Sequence, residues 1–119
     1  MRNSFSTVSA VTVAMALVGS IACSTAIAGK KPMTGKELAF DKKKGNCLAC
    51  HLIAGGKQAG NIAPPLIAMK ARFPKKEELR AQIADPRAKN PNSMMPPFGP
   101  HGVLSEKEID LVVDYVYGL

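Results

Sequence analysis

Two cysteines and a histidine lie within one pentapeptide, Cys47-Leu48-Ala49-Cys50-His51. The two thiols lie one helical turn apart, so both can add to the vinyl groups of a single haem, and the adjacent imidazole then lies beneath the iron. Few other chemistries need a cysteine and a histidine side by side. The motif therefore predicts one haem c per chain, tethered through Cys47 and Cys50, with His51 as an iron ligand.

Three other uses of the thiols fit the pattern less well. A redox dithiol of the thioredoxin type would use Cys47 and Cys50 without His51 and would follow a strand, and no strand pattern precedes them. A zinc site could recruit His101 as a fourth ligand, but adjacent Cys50 and His51 do not match the usual spacing of zinc ligands. A disulfide across four residues would close a tiny loop and stabilise little.

A low-spin electron carrier needs a second iron ligand, for which the chain offers His101, Met33, Met69, Met94 and Met95. Met95 is the preferred candidate because it precedes Pro96 in the proline-rich stretch 92–99, about 45 residues after His51. Such a stretch does not continue as helix, so it can drape over the far face of a porphyrin. Met94, Met69 and His101 remain alternatives, and Met95 could instead fill a gap in the core.

The first 28 residues have the pattern of a secretory signal peptide. Arg2 is followed by an apolar run at 10–21, and small residues at 26–28 offer a peptidase site, which predicts cleavage after Ala28. The run is about 12 residues long, whereas a membrane-spanning helix needs about 20, so a retained anchor is the weaker alternative. A lipidated Cys23 is another, although Ser20 stands where lipoprotein signals usually have leucine. We therefore expect export to the periplasm, with residues 29–119 as one domain and no membrane span after cleavage.

Composition sets limits on that domain. With Arg2 removed, 15 basic residues face 9 acidic ones, and the lysines at 42–44 just before the pentapeptide could steer an acidic partner or simply keep the protein soluble. Nucleic acid is an improbable ligand, because the chain lacks interleaved basic and aromatic residues. The whole chain has four Phe, two Tyr and no Trp, so a buried cofactor is expected to complete the core.

Capping signals and apolar spacing predict an all-α fold. Thr34 to Glu37 and Ser105 to Glu108 have capping-box form, and each opens a predicted helix. The second helix carries Ile109, Val112, Val113 and Val116 on one face, with Asp110 and Asp114 facing outward. Two more helices are predicted at 65–71 and 74–84, the latter ending at Asp85-Pro86.

This order of helices around the pentapeptide and the Met-Pro loop resembles the class I cytochrome c fold. Pro64 lies 13 residues after His51 and is similar to the loop proline whose carbonyl holds the second nitrogen of the histidine in that fold. Ala63 stands where the fold commonly has glycine, which is a departure from the family pattern.

Five segments are similar to the SoxX family, the monohaem subunit of the SoxAX cytochrome complex of bacterial thiosulfate oxidation. They are 44–51 (KGNCLACH), 60–66 (GNIAPPL), 69–74 (MKARFP), 90–101 (NPNSMMPPFGPH) and 104–114 (LSEKEIDLVVD). The resemblance implies a heterodimer with SoxA, whose haem site joins thiosulfate to a cysteine of the SoxYZ carrier, an L-cysteine S-thiosulfotransferase reaction. This chain would pass the electrons to a soluble cytochrome c and would supply no acid, base or nucleophile.

Two other functions stay open. A free-standing class I cytochrome c shuttle would have the same haem motif but no stable partner. A haem-based sensor would leave the sixth iron position open, and a methionine ligand argues against it.

Overall fold

The computed structural model describes residues 31–58 and 60–119. The helices are α1 (Gly35–Phe40), α2 (Met69–Arg72), α3 (Lys76–Ala84) and α4 (Glu106–Tyr117), and 3₁₀ turns form at Cys47–Ala49 and Pro86–Ala88. No strand occurs in these ranges, so the predicted all-α class is confirmed. The predicted signal peptide, residues 1–28 with Cys23, lies outside the described residues. None of the described helices is long and apolar enough to cross a membrane.

Helix α1 begins with the predicted capping box. The Thr34 hydroxyl accepts the backbone N–H of Glu37, and the Glu37 carboxylate accepts the N–H of Thr34 at 2.7 Å. These bonds satisfy amide groups that the helix itself leaves unpaired. The helix buries Leu38 and Ala39 and packs against α4. The crossing is close because Gly35 has no side chain; a Cβ there would lie 1.9 Å from the backbone oxygen of Leu111.

Helix α4 also has its predicted start and its predicted apolar face. Ser105 and Glu108 form the capping box, and the predicted stripe of Ile109, Val112, Val113 and Val116 is at most 2% exposed. On the opposite side, Arg80 of α3 binds Glu106 and Asp110 of α4 at 2.6 and 2.7 Å. These ion pairs are exposed, so α4 is held mainly by its apolar contacts with α1 and α3.

The two central helices differ from the sequence prediction at their starts. The predicted helix at 65–71 is α2, which begins only at Met69, because Leu66 is held in a loop by a 2.9 Å bond from its N–H to the Leu52 oxygen. Ala68 then turns the chain with a left-handed backbone, φ 50°. The helix predicted from residue 74 begins at Lys76. Lys75, just before it, has an extended backbone, with φ −105° and ψ 121°.

Candidate functional site

A cavity of about 450 Å³ lies between the pentapeptide, the helices and the Met-Pro loop. It brings together all five residues predicted for the site, which are Cys47, Cys50, His51, Pro64 and Met95. Eight of the nineteen other lining residues are apolar and buried, namely Leu66, Met69, Leu79, Ile83, Phe98, Leu104, Val112 and Val116. A large apolar cavity with a few polar groups at its edge is the usual form of a cofactor site.

The pentapeptide folds as a tight 3₁₀ turn. Asn46 starts it with a left-handed backbone, φ 47°, a conformation that asparagine tolerates better than most residues. The N–H groups of Cys50 and His51 then both donate to the Cys47 oxygen, at 3.2 and 2.8 Å. This turn aims both thiols and the imidazole at one cavity.

The thiols do not have the properties of a redox dithiol. Cys47 and Cys50 are not joined by a disulfide, and burial raises the pKa of the Cys47 thiol to about 11. A catalytic dithiol instead depends on a pKa lowered by nearby positive charge or by a helix N-terminus. The site therefore fits the thioredoxin-type alternative poorly.

His51 is oriented by the Pro64 loop. Its Nδ1 lies 2.7 Å from the Pro64 backbone oxygen, and because a carbonyl oxygen only accepts, Nδ1 must carry the proton and donate. Nε2 is then left with its lone pair, as an iron ligand requires. The loop itself is fastened by a 3.0 Å bond from the Ala63 N–H to the Cys50 oxygen. The contact with Pro64 thus forms although alanine occupies position 63.

The Met-Pro loop presents its two methionines differently. Both line the cavity, but Met95 is half-buried, whereas Met94 is 84% exposed. This placement favours Met95 over Met94 as the second iron ligand. That assignment stays a prediction.

The other candidate ligands are placed less favourably. Met69 lines the cavity, but its sulfur already accepts a weak bond from Arg72 Nη1 at 3.5 Å. Met33 packs against the core from outside the cavity, and His101 is exposed and does not line it. Within residues 31–58 and 60–119, no three His, Cys, Asp or Glu side chains cluster as a metal site. The zinc alternative therefore lacks its fourth ligand.

The donor set fits a covalently attached haem. Cys47 and Cys50 would hold it through thioethers, and His51 Nε2 and the Met95 sulfur would be its iron ligands. The apolar walls would exclude water from the macrocycle. When bound, haem c supplies reversible one-electron transfer.

Sequence reasoning assigned no role to four polar residues of the cavity wall, which are Asn46, Arg72, Gln82 and Ser93. Arg72 is the one charged side chain among the described lining residues, and its Nη1 donates to the Pro65 oxygen at 2.7 Å. Gln82 lies on the same face of α3 as Leu79 and Ile83, so the helical spacing could have placed it there. No local signal in the sequence identified Arg72 or Ser93.

Comparison with known proteins gives two similarities. Residues 29–116 match the family model described as Cytochrome C oxidase, cbb3-type, subunit III. The chain is also similar to a chain in the crystal structure of SoxXA from P. pantotrophus, with 25% sequence identity and a TM-score of 0.63. That similarity covers 70% of this chain and 77% of the other. No curated protein matches the sequence.

Proposed function

The chain belongs to the family of cytochrome c domains described as Cytochrome C oxidase, cbb3-type, subunit III, and we propose that within it this protein is a SoxX-like electron-transfer subunit. Membership and the similarity to SoxXA confirm the class I cytochrome c fold and imply covalently bound haem c. The single Cys-x-x-Cys-His motif of the sequence supports one haem per chain.

The cavity lining is the observation from the structure that best supports electron transfer over bond chemistry. No Asp or Glu among residues 31–58 and 60–119 lines the cavity, and the Nδ1 proton of His51 is committed to the Pro64 oxygen. Cys47 and Cys50 are taken up by tethering in this proposal. The described wall thus offers no carboxylate to act as general acid or base, and its groups bind and orient instead.

The proposed partner is a SoxA-type cytochrome, and the proposed location is the periplasm. Two observations support the partner, the similarity to SoxXA and the five SoxX-like segments of the sequence. In the complex, thiosulfate would be coupled to a SoxYZ cysteine thiol. This forms a sulfur–sulfur bond and releases two electrons and one proton. Both electrons would pass singly through this chain to a soluble cytochrome c.

The test is purification of the native protein under mild conditions, followed by mass analysis and haem staining. We expect a larger c-type cytochrome to copurify, and addition of thiosulfate with a carrier thiol to reduce the complex. Thiosulfate with a carrier whose cysteine is replaced by serine is the control and should give no reduction. A chain that elutes alone, and only exchanges electrons, would instead be a free-standing shuttle. Rapid binding of carbon monoxide to the untreated protein would indicate a sensor.

A further inference from the structure

The loop before Met95 is organised by a serine. The Ser93 N–H donates to the Asn90 oxygen at 2.9 Å, and the Asn92 N–H donates to the Asn90 side-chain oxygen at 3.1 Å. These bonds close a turn at 90–93. The Ser93 hydroxyl then accepts the N–H of Met95 at 3.2 Å. This bond connects the turn to the methionine that lines the cavity.

That hydrogen bond has few substitutes in this stretch of chain. Pro96 and Pro97 have no N–H, so Met95 carries the only backbone donor from 95 to 97. Beyond the prolines, Phe98 is buried and its oxygen accepts the N–H of Val103 at 3.1 Å. The methionine segment is therefore fastened at one end by Ser93 and at the other by Phe98.

The two methionines of this segment differ in burial. Met95 is half-buried in the wall, while Met94 is exposed. Rotation of this segment would exchange the two side chains. Two consecutive methionines thus need a local contact that distinguishes them, and the Met95 N–H bond to Ser93 is such a contact.

We propose that Ser93 is a positioning residue, whose hydroxyl holds the Met95 backbone so that the Met95 thioether, and not that of Met94, faces the haem iron. This inference rests on the proposed haem function. Without the hydroxyl, the partly buried Met95 N–H loses its partner, and states in which Met95 is detached from the iron become more populated.

The test is a titration of the oxidised holoprotein with imidazole. Binding is measured through the loss of the methionine-to-iron absorption band. Imidazole binds only the detached state, so its apparent affinity rises in proportion to the population of that state. We expect about a fivefold rise for Ser93→Ala, which converts to about 1 kcal/mol. Ser93→Thr keeps the hydroxyl and should stay within about twofold of the parent, as should the matched control Met94→Ala.

Met95→Ala, made in the Met94→Ala protein so that Met94 cannot take its place, separates the two ways in which the inference can fail. If that variant keeps the methionine band, Met95 is not the ligand, and both the ligand assignment and the role of Ser93 are wrong. If it loses the band while Ser93→Ala binds imidazole like the parent, only the role of Ser93 is wrong. A Ser93→Thr variant that binds imidazole as tightly as Ser93→Ala would also overturn the inference, because the hydroxyl would then not be the responsible group.

Discussion

Replacing Gly60 with alanine should separate the Pro64 loop from the haem-binding pentapeptide. A Cβ on Gly60 would lie 2.3 Å from the carbonyl carbon of Cys50 and 2.6 Å from its Cα and oxygen. Ordinary contact begins at 3.4 Å, so the two backbones must move apart by about 1 Å. The obstacle is backbone, so no side-chain rotation can relieve it.

Two hydrogen bonds join the same two backbone segments, the Pro64 loop and the pentapeptide. They are the bond from Ala63 N–H to the Cys50 oxygen, 3.0 Å, and the bond from His51 Nδ1 to the Pro64 oxygen, 2.7 Å. Opening the gap by about 1 Å takes both beyond hydrogen-bonding distance. With about 1–3 kcal/mol for overpacking and about 1 kcal/mol for each bond, the variant should lose about 3 kcal/mol or more. In a domain of this size that lowers the melting temperature by roughly 12–24 °C.

The reduction potential should rise together with this loss of stability. The bond to Pro64 makes the His51 imidazole a more basic ligand, which favours oxidised iron, and its loss removes that preference. The assays are thermal unfolding of the holoprotein and a redox titration. Gly99→Ala is the matched control, because its Cβ would meet nothing closer than 3.5 Å and should change neither quantity. A Gly60→Ala protein that melts within about 2 °C of the parent, with an unchanged potential, would refute the reasoning.

Four further variants test other contacts of the fold and site. Gly35→Ala places a Cβ 1.9 Å from a backbone oxygen of α4, so thermal unfolding should show a loss of about 1–3 kcal/mol, and an unchanged melting temperature would contradict the close crossing. Replacing either Cys47 or Cys50 with serine should greatly reduce the yield of two-bond haem adduct by mass, and a normal yield would contradict attachment. The bond from Lys44 lowers the pKa of Glu108, so this carboxylate stabilises the fold above pH 4.5 and loses that effect as pH falls through its lowered pKa. Glu108→Gln should cost about 0.5 kcal/mol at pH 7 by denaturant unfolding, and a cost that does not shrink below pH 4 would contradict the ion pair.

The sequence identified the features that depend on near neighbours. Both capping boxes are decided by residues three positions apart, and the buried face of α4 follows from the period of the helix, so α1 and α4 were predictable. The haem motif is equally local, because covalent attachment needs Cys47, Cys50 and His51 within one turn. The contact of His51 with Pro64 came from family resemblance at a fixed spacing, and the structure forms it at 2.7 Å.

Tertiary structure decided what depends on segments far apart in the chain. The start of α2 was wrong in the sequence prediction because the backbone bond between Leu66 and Leu52 holds the preceding residues in a loop. The need for glycine at position 60 depends on the backbone of Cys50, which no local pattern reveals. Likewise, adjacent methionines are chemically equivalent in a sequence. Its place before Pro96 favoured Met95, but the difference in burial, with Met95 half-buried and Met94 84% exposed, is tertiary, because it depends on how the loop packs against distant segments.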